Sequence, residues 1–327
     1  MMRRRTLAAA VLAGPLAARA RAQGRSWRIG FLTPRAQPVP PYRDAFSDAF
    51  RRGMSDLGYF EGKTLTIDWR YADGDYTRLA GLAAELVALN PPVIVTYGTA
   101  AAKALKAATT TVPIVVAAAN DLLGAGIVES LARPGGNITG LSVIDVDVSA
   151  KQLELLKVAA PRLARVAVLI NPGNAANPVV LRRLEASAPK LGVEIMPANA
   201  ATPAEIEPAF EAAAQKGAGA MIVAADAFFS GQGQRIADAG LRHRLATIGI
   251  YQDHVPDGCL MSYGQDVADF HRQAARYVDR ILRGAKPADL PVEQPTKFGF
   301  VLNARTAETL GLALPRALIA SADRIVE

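Results

Sequence analysis

Cysteine is nearly missing: Cys259 stands alone in 327 residues, so no disulfide can close within the chain. A single thiol beside Leu260 and Met261 reads as a small buried hydrophobe. Histidine is scarce too, and His243, His254 and His271 show no spacing with cysteine, aspartate or glutamate that would hold zinc or iron. No metal and no cofactor is therefore implied, and the three histidines read as surface residues. A Gly-x-Ser-x-Gly elbow, a Walker loop and a His-Glu-x-x-His helix are all missing, which removes the usual nucleophile and metal-hydrolase signatures. Gly231 and Gly233 begin like a dinucleotide fingerprint. The third glycine is absent and Phe228-Phe229-Ser230 intervenes, so a loop and a helix start are expected there.

What is present begins with an export signal. Arg3, Arg4 and Arg5 precede an apolar run, Leu7 to Ala18, and Ala20-Arg21-Ala22 forms a small-residue cleavage site. The run is too short to span a bilayer, which takes about twenty apolar residues. With no cysteine after it, a lipid anchor is not expected. The arginines suit either the general or the twin-arginine route. Residues 1–22 hold five arginines and no acid, so the formal charge of +7 falls to +2 without them. The remaining Lys and Arg are scattered among Asp and Glu rather than gathered in a patch, so nucleic acid is not an expected partner. A mature chain of this size with 50% hydrophobic residues can bury a large core and is expected to form two domains.

Short apolar runs alternate with segments of helical periodicity, the pattern of βαβ units and parallel sheets. Strands are expected near 28–32, 64–71, 93–97, 114–117, 138–143, 166–170, 193–198, 220–224, 247–251, 259–263 and 298–302. Helices are expected over 42–57, 76–89, 99–108, 149–158, 177–191, 203–216, 232–242, 266–283 and 304–310. Runs such as Val93-Ile94-Val95 lack alternation, as strands covered on both faces should. Arg28-Ile-Gly-Phe-Leu-Thr-Pro34 is echoed by Arg165-Val-Ala-Val-Leu-Ile-Asn-Pro172, which suggests two similar α/β lobes. The turn-rich Arg133–Asn137 ends the first lobe, and the Pro-rich Gly284–Pro295 reads as an extended connection.

Five strands end in short polar loops that open helices: Thr33–Gln37, Gly98-Thr99, Asn120–Gly126, Asn171–Asn177 and Asp226–Gly233. In open α/β sheets ligands bind beyond the carboxyl ends of strands, and helix N-termini favour anions. The same residues would also serve as ordinary caps, Thr99, Asn171 and Asn174 above all. Tyr97, Tyr251 and Tyr263 sit near strand ends, where an aromatic can wall a pocket. Asp121 and Asp226 follow apolar runs and are placed either to pair with a ligand ammonium or to cap a helix.

The chain resembles the substrate-binding proteins of ABC transporters related to tryptophan and tyrosine uptake. The resemblance lies in Asp121–Val128, Leu131–Ser142 (LARPGGNITGLS), Leu260–Gly264 (LMSYG), Ile281–Phe298, Asn303–Leu312 (NARTAETLGL) and Ala322–Glu327. It implies a hinged type I periplasmic-binding architecture of two Rossmann-like lobes with parallel sheets. The expected lobes are 23–143 with 265–295 and 144–264 with 296–327, after a cleaved 1–22. The resemblance also implies a periplasmic monomer that closes on a small molecule, an aromatic or other amino acid or a small carboxylate, and presents it to an ABC permease without catalysis. The expected ligand-binding residues are Thr33, Tyr97, Gly98, Thr99, Asn120, Asp121, Ser142, Asn171, Asn174, Asp226, Tyr251 and Tyr263. Backbone N–H groups of the Gly98 and Asn171 loops are expected to hold a carboxylate. Where the family often has Asp-Pro, this chain has Asp121-Leu122 and Asp226-Ala227, which alters loop stiffness. An exported hydrolase-like enzyme and a sensor module are the alternatives.

Overall fold

The computed structural model describes residues 26–38, 44–143 and 146–327. The arginine-rich leader and the first residues expected in the helix at 42–57 lie outside the described residues.

The first sheet is built from β1 (Trp27–Thr33), β2 (Leu65–Tyr71), β3 (Ile94–Tyr97), β4 (Ile114–Asn120) and β5 (Ile138–Val143), all parallel, in the order β2-β1-β3-β4-β5. Strands β3, β4 and β5 are buried along their whole length, which explains their unbroken apolar runs. The edge strand β2 exposes Thr66 and buries Leu65 and Ile67. The crossovers carry α1 (Ala45–Asp56), α2 (Leu79–Ala88) and α3 (Thr99–Ala108). Asp44 caps α1 by accepting from the Phe46 N–H at 3.2 Å.

The chain then enters a second sheet through α4 (Val146–Ala159). The elements that follow are β6 (Arg165–Ile170), α5 (Asn177–Ser187), β7 (Glu194–Asn199), α6 (Pro203–Gln215), β8 (Ala220–Val223), α7 (Gly233–Arg242), β9 (Ala246–Gly249), the single turn α8 (His254–Asp257) and β10 (Met261–Gln265). Helix α9 (Val267–Leu282) returns to the first sheet and packs on α1, β4 and β5. The Pro-rich stretch runs beside β5, where Ser142 N donates to Glu293 O and Glu293 N to Gly140 O. Finally β11 (Phe298–Asn303), α10 (Ala304–Leu310), α11 (Arg316–Ala320) and β12 (Arg324–Val326) complete a seven-stranded sheet, ordered β12-β11-β10-β9-β8-β6-β7. Here β10 and β11 pair antiparallel, so the sheet is mostly parallel.

The sequence echo has a structural counterpart. β6 occupies the place in β7-β6-β8-β9-β10 that β1 holds in β2-β1-β3-β4-β5. In both sheets the strand order reverses after that strand, between β1 and β3 and between β6 and β8, the place where open α/β sheets leave a crevice. One apolar core runs from Phe46 and Tyr97 of the first lobe to Phe228 and Tyr251 of the second. Two further clusters pack the opposite face of each sheet.

Two expectations need correction. His254 and His271 are buried rather than on the surface, and His243 is half-buried against Glu207 at 2.8 Å. His271 belongs to the apolar face of α9, alongside Val267, Phe270 and Ala274, so helix packing overrides its polarity. The final strand β12 was not anticipated, because its three residues are stabilised by pairing with β11 rather than by their own pattern. Cys259 is buried as its neighbours suggested.

Candidate functional site

The reversal-point loops of the two sheets face each other. After β1 come Thr33 to Gln37, after β3 comes Gly98, after β6 comes Asn171, and after β8 comes Asp226. Between them lies a cavity of about 20 Å³, lined on one side by Tyr97, Gly98 and Asn120 and on the other by Asn174, Asp226 and Tyr251. That is room for roughly one water molecule, so the lobes are described in a closed arrangement. Wider grooves flank it. One of about 280 Å³ runs between Thr99, Lys103 and Asp121 and the facing Ala176, Val179 and Arg183. Another of about 450 Å³ is bounded by Phe46, Tyr251, Gln265 and Val267.

Hydrogen bonds close the central seam. Tyr76 Oη donates to Asp226 Oδ1 at 2.8 Å, and Asn120 Nδ2 to Ala225 O at 3.0 Å. Tyr97 Oη stands 3.4 Å from Tyr251 Oη, which in turn donates to Asp226 O at 2.7 Å. The Asp226 carboxylate also accepts from Asn171 Nδ2 at 3.3 Å, Asn174 Nδ2 at 2.7 Å and Phe228 N at 2.9 Å. Burial pushes its pKa up, and those donors pull against that. Burial likewise raises Tyr76 and Tyr251, and takes Tyr97 to about 12, so all three are neutral hydroxyls at physiological pH.

An aromatic group adjoins the seam. Phe46 meets Tyr97 edge-on at 5.5 Å and stacks on His271 at 4.9 Å, and Tyr251 lies 6.5 Å from it. The Arg35 guanidinium sits 4.3 Å above the Phe46 ring and pairs with Asp44 at 3.2 Å. Burial works against the Asp44 carboxylate, but Arg35 and the Ser47 hydroxyl hold it below its ordinary pKa. Burial brings His271 down to about 4 and also lowers His254, so both rings are neutral. His254 Nε2 lies 3.4 Å from the Ser230 carbonyl, not from its hydroxyl, which donates to Ala227 O.

Of the twelve expected site residues, the structure brings Tyr97, Gly98, Asn120, Asn174, Asp226 and Tyr251 to the central cavity, with Asn171 behind Asp226. The others lie elsewhere. Thr33 Oγ1 accepts from Arg35 N, Thr99 Oγ1 is tied to Asn120 O, and Ser142 Oγ accepts from Leu122 N within the first lobe. Asp121 is exposed in its own turn, accepting from Gly124 N at 2.8 Å, and Tyr263 stacks on Phe298 at 5.9 Å. In the two loops expected to hold an anion, the amides of Gly98 and Asn171 themselves are engaged: Gly98 N donates to Ala118 O and Asn171 N to Asn177 Oδ1, both at 2.8 Å. Tyr76 and Phe46 were not among the expected residues, and Arg35 falls within the expected Thr33–Gln37 loop without having been singled out. Tyr76 follows the Asp73-Gly74-Asp75 turn at the carboxyl end of β2, the same strand-end signal that marked the other loops.

A family model described as ABC transporter substrate binding protein matches residues 39–326. The chain belongs to that family. It is 25% identical over 273 residues to a tyrosine-binding protein of Clostridioides difficile (strain R20291), covering 83% of this chain and 78% of the relative. A crystal structure of a conserved domain protein from Vibrio cholerae superposes with a TM-score of 0.83 at 30% identity, over 92% of this chain and all of the other. The structure of an ABC domain in complex with L-Trp from Streptococcus pneumonia gives 0.81 at 26% identity, over 91% of this chain and all of the other. This member of the substrate-binding family therefore carries the type I periplasmic-binding fold, two α/β lobes across a seam of tyrosine, asparagine and aspartate.

Proposed function

We propose that the chain is the extracytoplasmic receptor of an ABC importer, capturing an amino acid, best an aromatic one, between its lobes and presenting it to a membrane permease. Residues 23–143 with 265–295 act as one lobe and 144–264 with 296–327 as the other, joined by three crossings. The carrying observation is the convergence of Tyr97, Asn120, Asn174, Asp226 and Tyr251 from both lobes on one cavity at the carboxyl ends of the strands. Asp226 supplies the negative charge for a ligand ammonium once Tyr76 withdraws, and Phe46, Tyr97 and Tyr251 supply apolar walls. The relatives described as tyrosine-binding and as bound to L-Trp support an aromatic amino acid.

Capture is a hinge equilibrium. A solute touching both lobes stabilises the closed state more than the open one and shifts the population. The chain matured at Ala22 is predicted to act as a monomer in the periplasm. A thermal-shift screen of amino acids, sugars and small carboxylates tests the reading, since a ligand at a hundred times its Kd adds about 2.7 kcal/mol of stability. L-tryptophan or L-tyrosine is expected to raise Tm. Turnover of a bound solute, or no shift from any amino acid, would overturn it.

A further inference from the structure

We propose that Arg35 anchors the carboxylate of the captured solute. The proposal rests on reading the inter-lobe seam as the ligand site, and where the amides of Gly98 and Asn171 are engaged it turns to a side chain that still has hydrogen bonds to give.

Among the described residues, two buried side-chain polar atoms have no hydrogen-bond partner: Arg35 Nη1 and Ser262 Oγ. Ser262 lies inside β10, paired with β9 and β11, where no solute approaches. Arg35 lies in the loop after β1, at the reversal point of the first sheet. Its side chain is 12% exposed and its guanidinium covers the Phe46 ring. Across the seam stands the second lobe's Gly231, where an added Cβ would lie 3.9 Å from Arg35 Nε. Its positive charge is felt in both lobes, opposing the burial that raises Tyr97 in one and adding to the burial that lowers His254 in the other.

Leaving a guanidinium N–H pair buried and unmatched costs free energy that an incoming acceptor recovers. A carboxylate is the best acceptor, because its charge-assisted bond to a guanidinium is short and strong. Asp44 does not saturate this group. It takes Nη2 alone, and its own oxygens are also engaged by Phe46 N and by the Ser47 hydroxyl. With the acid held at Arg35, an aromatic side chain packs against Phe46, Tyr97 and Tyr251. Phe46 is thereby shared between the guanidinium and the solute ring, a cation–π arrangement that fixes the distance between the two recognition elements.

The test is calorimetric titration and thermal shift of the full mature chain with matched pairs: L-tryptophan against tryptamine, L-tyrosine against tyramine, and small carboxylates against their amides. Wild type is expected to prefer each acid over its partner lacking the carboxylate. In Arg35→Gln that preference collapses, the acids weakening by about 10- to 100-fold while the amines change little. Should Arg35→Gln fold poorly with Asp44 left unpaired, Arg35→Gln/Asp44→Asn removes the ion pair as a unit, and asparagine still caps α1. An unchanged acid preference in a folded variant overturns the role of Arg35 and leaves the transport reading standing. Binding confined to solutes without a carboxylate overturns the anchor, and no binding of any solute in the panel overturns both.

Discussion

Tyr76 of the first lobe and Asp226 of the second, 150 residues apart in sequence, share a 2.8 Å hydrogen bond across the seam. The Tyr76 oxygen also accepts from Phe228 N at 3.3 Å, so one hydroxyl holds two groups of the opposite lobe. This contact joins the two lobes without any solute, and on the proposed function a solute ammonium would displace or share it to reach Asp226.

Tyr76→Phe should therefore loosen the unliganded molecule. Asp226 keeps Asn171, Asn174 and Phe228 N, so the fold survives, while the closed state loses both hydrogen bonds of the Tyr76 hydroxyl, each worth about 0.5–1.5 kcal/mol. Small-angle scattering of the solute-free variant is expected to show a larger radius of gyration, and an ammonium-bearing solute, which no longer has to displace Tyr76 from Asp226, is expected to bind about three- to tenfold more tightly. A radius and a Kd matching wild type would remove the latch role.

Replacing Asp226 itself has a larger effect. Asp226→Ala removes the acceptor of the Tyr76 hydroxyl and of both asparagine amides, and leaves Phe228 N only its 3.3 Å contact with Tyr76, around a site too enclosed for more than about one water. A loss of about 3 kcal/mol in urea unfolding is expected, and Asp226→Asn, which retains one acceptor oxygen, should lose less. Equal stability of the alanine variant and wild type would contradict the network.

Acid sensitivity should follow His271. Burial holds its folded pKa at about 4, against an ordinary value of about 6.5 in the unfolded chain. Between those values the unfolded state binds more protons, so stability is lost as pH falls from about 6.5 to about 4, by roughly 3 kcal/mol. The charges facing the ring are Asp44, which favours protonation, and Arg35, which opposes it. Its Nδ1 contacts Val267 O at 2.8 Å. His254, shifted the same way, adds to the slope. Urea titrations across this pH range should show His271→Gln with a shallower decline, and a slope identical to wild type would assign the acid loss elsewhere.

Strand and helix positions were legible wherever local physics decides them. The α3 start at Gly98-Thr99, the whole of β5, and α10 between Asn303 and Gly311 follow from apolar period and capping residues alone. The loops at the strand ends were legible for the same reason. Partners across the seam were not: nothing local to Tyr76 signals Asp226, and nothing near Gly98 signals that its N–H is taken by Ala118. His271 is a different case, since Val267, Phe270, Ala274, Ala275 and Val278 place it within a buried helical face that the sequence already displays. Judging histidine by its polarity rather than by its place on that face misplaced it.

Gly98 offers the sharpest probe of closure. Its φ of 87° is strained for any residue with a side chain, and a Cβ there would come 2.8 Å from Ala227 Cβ of the opposite lobe. Gly98→Ala thus carries two costs, a backbone strain of about 1–3 kcal/mol present in every state and a clash present only when the lobes meet. Solute affinity should fall by about tenfold or more, together with expansion seen by small-angle scattering. Adding Ala227→Gly removes the opposing methyl but not the strain. The double variant should regain closure and affinity while its Tm stays below wild type. If Ala227→Gly restores neither compaction nor binding, steric contact at this point of the seam does not control closure.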